Sequence, residues 1–374
     1  MSLFSINNIL LNEENKNIDI NDIECLDTDI KNYSFVQEGY NFIINTRKEY
    51  MIAEQIFYTN ILDSYGNNEI ITESYKNLSN KVKDVIKKFI EWVKQIFNKF
   101  VLKLKAFYNN SDIKRKIDAK TIKKIEKEGF KPFKFNGYEF TLNNINTDTN
   151  DLQLDNLGQN IKDFEYKANQ LLTNQNSEQT IETLAKVKKL YEETYNHTLE
   201  IKTENIDIIR GKIINLNKKI TSSEYANILF SYFRNNEIEP KYIIIDKQRF
   251  LKSYNNLTDS ENIIKQIKNT SKNIEEMYKN LLNRNDNELN LTINKQLNLN
   301  NQIQTQNDSY TKQMSKSIFD INQYKMSILQ AYNTIITEIS NIHAQAFTAL
   351  LQAAKDCVLQ DQKIVKAVIL NFKK

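Results

Sequence analysis

From Lys241 to Lys374 the chain contains neither glycine nor proline, and its 374 residues hold only six glycines and two prolines in all. Average usage would place roughly 45 of these two residue types in a chain this long. Lacking the residues that interrupt regular backbone, the last third can run as long helices. The same shortage excludes glycine-rich phosphate loops and collagen-like repeats, which need glycine at fixed positions. With 40% hydrophobic and 26% charged residues, there is enough apolar material for packed cores. The expected fold class is mainly α: an elongated multi-helix bundle with a coiled-coil-like long C-terminal helix and a small β-hairpin element.

The C-terminal pattern is the most regular. Met314, Ile321, Ile328, Ile335, Ile342 and Ala349 recur every seven residues, and Ile318, Lys325, Tyr332, Ile339, Ala346 and Ala353 form a second such series. All but Lys325 are uncharged, as a coiled-coil seam requires. A helix from Asp308 to Phe372 would be ~97 Å long. The taper from Ile to Ala at 346, 349 and 353 predicts close approach of a partner helix, either the 178–221 helix of this chain or one from a neighbouring subunit.

Charge is distributed in blocks. Residues 1–75 contain 4 Lys/Arg against 13 Asp/Glu, a net of −9, while residues 76–128 contain 16 against 6, a net of +10. Opposite blocks in succession point to self-pairing or to an interaction surface masked by its neighbour. Two unrelated solvated faces would give the same counts. Within the acidic block, Tyr33, Val36, Tyr40, Ile43, Tyr50, Phe57 and Ile61 predict one helix over 31–62, ended by the stretch from Asp63 to Asn68. In the basic block, Leu78, Val82, Val85, Trp92, Val93, Ile96, Phe100, Leu104 and Phe107 fall within about 60° of Phe89 on a helical wheel. Lys83, Lys87, Lys88, Lys94 and Lys105 take the other side. Such a helix suits a membrane surface, and equally a core beneath a lysine-rich exterior. Lys83, Lys87, Lys88, Trp92, Lys94, Phe97 and Lys105 are the candidate contacts to DNA or an anionic membrane.

A basic connector, Lys114 to Lys127, leads into Phe133, Phe135, Asn136-Gly137, Tyr138 and Phe140, which predict a hairpin with a two-residue turn at 136–137 and all four aromatics on one face. Helices are expected to about Leu172, then from about 178 to 221, and over Ser222 to Phe233. The PKYIIID run, Pro240 to Asp246, reads as a second strand or as buried helix. Thr258-Asp-Ser-Glu261 is a capping box opening a further helix. The organisation expected is an acidic leader and propeptide at 1–73, a basic amphipathic segment at 74–128, a hairpin with its connector at 129–158 and a long-helix bundle at 159–374.

Little in the sequence suggests catalysis. Cys25 and Cys357 stand alone and read as buried or half-buried thiols, His197 and His343 lie 146 residues apart, and no nucleotide-loop, zinc-protease or serine-hydrolase motif occurs. A non-enzymatic protein with no cofactor, no metal and no small-molecule substrate is expected. The N-terminus shows no secretory pattern and no window is long and apolar enough to span a bilayer, so synthesis in a cytoplasm without secretion by signal peptide is expected.

One short string stands at the charge boundary: Ile71-Thr72-Glu73-Ser74, an aliphatic residue, a spacer, a glutamate and a small residue. Together with the FKFNGYEFTL and IHAQAFTALLQAAK segments, this layout resembles the internal virion or core proteins of large tailed bacteriophages, in which a prohead protease cuts after the glutamate of aliphatic-x-Glu sites. The resemblance implies a structural protein of the capsid interior, processed between Glu73 and Ser74, ejected with DNA, and partnered by phage structural proteins or by copies of itself. The alternative class is an α-helical membrane-active protein of the pore-forming toxin type, with residues 78–108 inserting after a conformational change.

Overall fold

The structure is a computed structural model that describes residues 33–64, 68–110, 119–137, 154–173, 180–214, 241–258, 260–305 and 309–373. In chain order the elements are α1 (Phe35–Asp63), α2 (Asn68–Asn110), α3 (Ala119–Glu128), β1 (Phe133–Gly137), α4 (Leu154–Thr173), α5 (Thr180–Ile214), β2 (Lys241–Ile245), α6 (Lys247–Thr258), α7 (Ser260–Thr305) and α8 (Ser309–Lys373). The protein is mainly α, a multi-helix bundle with one long C-terminal helix and a small two-stranded sheet.

Local chemistry sets several boundaries. Ser34 caps α1, its Oγ accepting from the Gln37 N–H at 3.2 Å, which satisfies one of the donors left open at a helix start. Asp246 does the same for α6, accepting from the Arg249 N–H at 2.8 Å. Gly129 ends α3 at φ 70° with its N–H bonded to the Ile125 carbonyl at 2.9 Å, the left-handed C-terminal stop that glycine permits. The helix from Lys247 to Thr258 has no counterpart in the sequence reading, although Phe250, Tyr254 and Leu257 behind an Asp cap carry its spacing. The segments 138–153 and 215–240, including the expected Tyr138–Phe140 arm and the 222–233 helix, lie outside the described residues.

The sheet differs from expectation. β1 pairs antiparallel with β2, Phe133 opposite Ile245, Phe135 opposite Ile243, and Gly137 opposite Lys241. Asn136 and Gly137 are therefore strand residues, not a turn, and the partner is more than a hundred residues away. The physical reason is apolar burial: a lone local hairpin is marginal, whereas β2 brings Ile243 and Ile245 to join Phe133 and Phe135 in one buried face. Within the PKYIIID run, Lys241–Ile245 is thus the second strand.

α8 occupies the centre, touching α1, α2, α4, α5, α6 and α7. Residues 346–352 are all buried, and seven consecutive helical residues point in every direction, so no side of the helix there meets solvent. The two seven-residue series are largely inside as expected, apart from exposed Met314, but over 346–352 they form part of a helix enclosed on all sides instead of a single seam. The charged exception, Lys325, is enclosed too and bonds Glu165 of α4 at 2.9 Å, with Glu288 of α7 at 3.6 Å. Close approach at the alanine taper comes from α1: a Cβ on Gly39 would lie 2.6 Å from the Thr348 Oγ1, so the smallest residue is needed at this crossing.

The core is one continuous cluster drawing on every described helix and both strands. Phe35, Ile43, Tyr50 and Phe57 of the acidic leader belong to it together with Phe89 and Phe100 of α2. The expected boundary at 73 and 74 falls inside α2 and divides no structural unit.

Candidate functional site

The residues singled out as a contact surface all lie on α2, and their surroundings follow from how that helix is seated. Val82, Val85, Ile86, Phe89, Val93, Ile96, Phe100, Leu104 and Phe107 are buried, against α1, α7 and α8. Burying such side chains contributes about 1.5–3 kcal/mol each. Trp92 is stacked on Phe42 of α1, centroids 4.4 Å apart and planes at 16°, and Phe97 packs against the core cluster. Of the two readings of this amphipathic helix, the packed one describes the folded chain.

The lysines of α2 meet carboxylates from two neighbours. Glu49 of α1 takes Lys88 at 2.7 Å and Lys81 at 3.0 Å, Glu38 takes Lys99 at 2.8 Å, and Glu275 of α7 takes Lys94 at 2.9 Å. Hydrogen bonds from Lys88 and then Lys81 hold the Glu49 carboxyl below its usual range. Burial pushes Glu38 up, but hydrogen bonds from Lys99 and Tyr33 outweigh it and leave that carboxyl lowered as well. Lys99 and Lys103 also sit over the Tyr33 ring at 5.1 and 4.4 Å. Exposed pairs of this kind contribute about 0.2–1 kcal/mol each, so apolar packing holds α1 in place and the ion pairs set the surface potential. Among the predicted contacts, Lys87 and Lys105 are exposed, Lys83 is half-buried and engaged, and Lys88 and Lys94 are paired.

Glu73 and Ser74 lie in the first turns of α2. Glu73 faces solvent, while Ser74 is 3% exposed and Tyr75 beside it shares a 2.7 Å hydrogen bond with Ser327 of α8. A protease reaching this bond must first unwind the helix and lift Tyr75 off α8, because buried backbone of this sort opens only with part of the fold.

The reading from sequence missed the polar contacts that fasten α1 to α8. Lys355 Nζ donates to the Tyr33 carbonyl at 2.8 Å, the Phe35 N–H donates to Gln352 Oε1 at 3.1 Å, and Gln352 Nε2 donates to the Asp356 carboxylate at 3.0 Å. Further along, Tyr50 and Thr334 share a 2.7 Å hydrogen bond, and Ser253 and Asn256 of α6 donate to Asp361 at 2.7 and 2.8 Å. The available signal was the set Gln352, Lys355, Asp356 and Asp361 inside an otherwise Ala- and Leu-rich stretch. His343, expected on a flank, is fully buried and shares a 2.8 Å hydrogen bond through Nδ1 with Tyr278. Burial lowers its pKa to about 4. Cys357 has its thiol pushed up by burial, with Asp361 and Asp356 adding to the effect, which disfavours the reactive thiolate.

Among the described residues no group of three or more His, Cys, Asp or Glu side chains converges on a metal position, and no helix is long and apolar enough to cross a membrane. Compared with known protein families, with curated proteins and with solved structures, the chain matches none.

Proposed function

We propose that the chain is a non-enzymatic structural protein of a tailed-phage particle, made in the host cytoplasm and housed in the capsid interior beside other structural proteins or further copies of itself. The observation that supports this best is the closure of the acidic leader over the basic helix, with Glu38 and Glu49 paired to Lys99, Lys88 and Lys81. Ionisable groups of the bundle are committed to holding helices together, as in Lys325 with Glu165 and Lys355 with the Tyr33 carbonyl. This organisation suits a building element. The layout around Glu73 and Ser74 agrees with a phage core protein, and a protease acting there would cut before α1 and α2 close on each other; the folded bundle keeps its leader. Mass spectrometry of purified particles tests both parts. Peptides spanning Glu73-Ser74 are expected in mature particles. Absence of the chain from particles would overturn the first part, and a chain beginning only at Ser74 would overturn the second.

One observation favours the membrane-active alternative. Tyr40, Ile44, Met51, Tyr58 and Leu62 of α1 are exposed and lie within about 40° of one another on a helical wheel. A stripe of this sort suits the interfacial, non-spanning mode of membrane contact. Dye release from anionic vesicles on adding the full chain would support it, and intact vesicles would exclude it.

A further inference from the structure

The basic connector identified in the sequence is not absorbed by the role of α2, and its described part occupies a corner of its own. α3 packs on α6, α6 on β2, and β2 on β1. Phe130, between α3 and β1, contacts both Phe133 and the fully buried Phe250 of α6 at 6.2 and 6.1 Å. On α3, Ile122 and Ile125 are buried. Taking Lys120 as zero at 100° per residue, these two lie near 200° and 140°, and Lys123, Lys124 and Lys127 lie within about 60° of zero, on the opposite side. Glu126 and Glu128 flank that stripe near 240° and 80°.

Further exposed lysines lie on the elements packed beside α3. Lys134 points out of the sheet from between buried Phe133 and Phe135, and Lys247 and Lys252 are exposed on α6. Six exposed lysines, 123, 124, 127, 134, 247 and 252, thus decorate one small unit. Their only ion pair among the described residues is Lys124 with Glu128, at 3.9 Å with both side chains more than half exposed. That separation and exposure leave the pair weak and easily screened. By contrast, Lys81, Lys88, Lys94 and Lys99 of α2 sit 3.0 Å or less from a carboxylate.

We propose that this α3–β1–α6 corner docks the phosphate backbone of double-stranded DNA. Lys124 also sits over the Phe372 ring at 5.4 Å and Lys252 is within electrostatic reach of Asp361, while Lys123, Lys127, Lys134 and Lys247 are exposed with no ion pair among the described residues. Such exposed lysines on two helices and a strand provide point charges that release counterions on meeting a polyphosphate, without reading bases. A lipid surface fits less well, because interfacial binding needs apolar side chains beside the charges. Here the apolar residues of α3 are turned inward, and Ile244 is the one large apolar side chain exposed on the described part of the corner. The inference rests on the particle reading for its biological setting and names the partner surface which that reading left open.

Fluorescence anisotropy of the full chain with a mixed-sequence 30-base-pair duplex, across a salt series, tests it. Replacing Lys123, Lys124 and Lys127 together by Gln is expected to weaken binding about tenfold or more at low salt and to reduce the log–log salt slope by about three. The same three changed to Arg should retain both. The matched control, Lys87→Gln with Lys88→Gln and Lys105→Gln on α2, should change the slope by less than half as much. Should the triple Gln variant lose its helical circular dichroism, Lys134→Gln with Lys252→Gln serves in its place, with an expected slope change of about two. Absence of DNA binding by the parent, equal slopes for parent and variant, an α2 control as damaging as the α3 variant, or an effect confined to vesicles of phosphatidylglycerol would each overturn the proposal. The binding assay does not depend on particles, so its failure and a failure to find the chain in particles are distinguishable.

Discussion

Two lysine-rich helices lie close together in sequence, α2 and the α3 of the α3–β1–α6 corner, and the fold treats them oppositely. α2 surrenders its apolar half to the core and has lysines covered by Glu38, Glu49 and Glu275. On α3 Ile122 and Ile125 are buried, Lys123 and Lys127 are exposed, and Lys124 meets Glu128 loosely and the Phe372 ring. The difference teaches that a strong amphipathic signal and an available surface are separate properties. The wider and more aromatic the apolar face, the more firmly the bundle claims it, and with it the neighbours that bring countercharge. The shorter helix, with the narrower apolar face, is the one that leaves Lys123 and Lys127 exposed.

The largest contrast expected is in stability. Phe89 is fully buried, with Tyr278 edge-on at 4.8 Å. Phe89→Ala should cost about 3–5 kcal/mol, whereas Lys123→Gln should stay within about 0.5 kcal/mol of the parent. Chemical denaturation of the two variants side by side measures the gap, and similar midpoints would mean that α2 is not the packed partner.

Acid should separate the regions next, through the buried pair that α2 leans on. His343 has a folded pKa of about 4 against an ordinary 6.5. The unfolded chain therefore takes up the proton first. The stability contributed by keeping this ring neutral is complete above pH 6.5 and is lost as pH falls toward about 4, a loss on the order of 3 kcal/mol. Tyr278 faces it through Nδ1 and stays neutral throughout, its hydroxyl pushed far up by burial. Unfolding midpoints measured between pH 7 and 4 should fall, and His343→Gln should flatten that part of the profile. An unchanged slope in the variant would assign the acid sensitivity elsewhere.

A smaller effect probes how tightly the leader is seated. Gly39→Ala would set a methyl group 2.6 Å from Thr348 Oγ1, costing about 1–3 kcal/mol in overpacking. Thr348→Ala should recover part of it, and a double-mutant cycle without coupling would show that α1 does not cross α8 at that point. The smallest effect sharpens the comparison of charge. Glu49→Gln should change stability by less than about 1 kcal/mol, yet it releases Lys81 and Lys88. Duplex binding of this variant should keep a salt slope within about one of the parent's, because the duplex sits on the α3–β1–α6 corner. A slope steeper by about two would mean that the α2 lysines also reach DNA once uncovered.

Much of this was legible in the residues. Breaker-free stretches and seven-residue spacing located α8, the 31–62 periodicity located α1, and the wheel around Phe89 named the side of α2 that is buried. Proximity in space was not legible. Asn136-Gly137 carries turn chemistry, but its strand pairs with residues 241–245 because Ile243 and Ile245 offer a buried face, and no local pattern reports a partner that distant. Glu73 is followed by a small residue, yet being inside a helix and beside buried Tyr75 is a property of packing. The pairing of opposite charge blocks could be read in outline; the part of Glu275, from a helix far along the chain, could not.

α8 carries a repeat of seven, and a repeat has the property that it can be shifted by one period and still match. Sliding this helix by one heptad, about 10.5 Å, would return an apolar residue to almost every apolar position, so its hydrophobic series alone does not define where it stops. What differs from one heptad to the next are the polar contacts: Lys325 to Glu165, Tyr50 to Thr334, His343 to Tyr278, Gln352 to the Phe35 N–H, Asp361 to Ser253. Each occurs once along the helix, and together they reach four neighbours, α1 (through Tyr50 and the Phe35 N–H), α4, α6 and α7. Moved by seven residues, every one of them would face the wrong group inside a dry interior. The five contacts act together as a vernier, giving a periodic rod a single zero point.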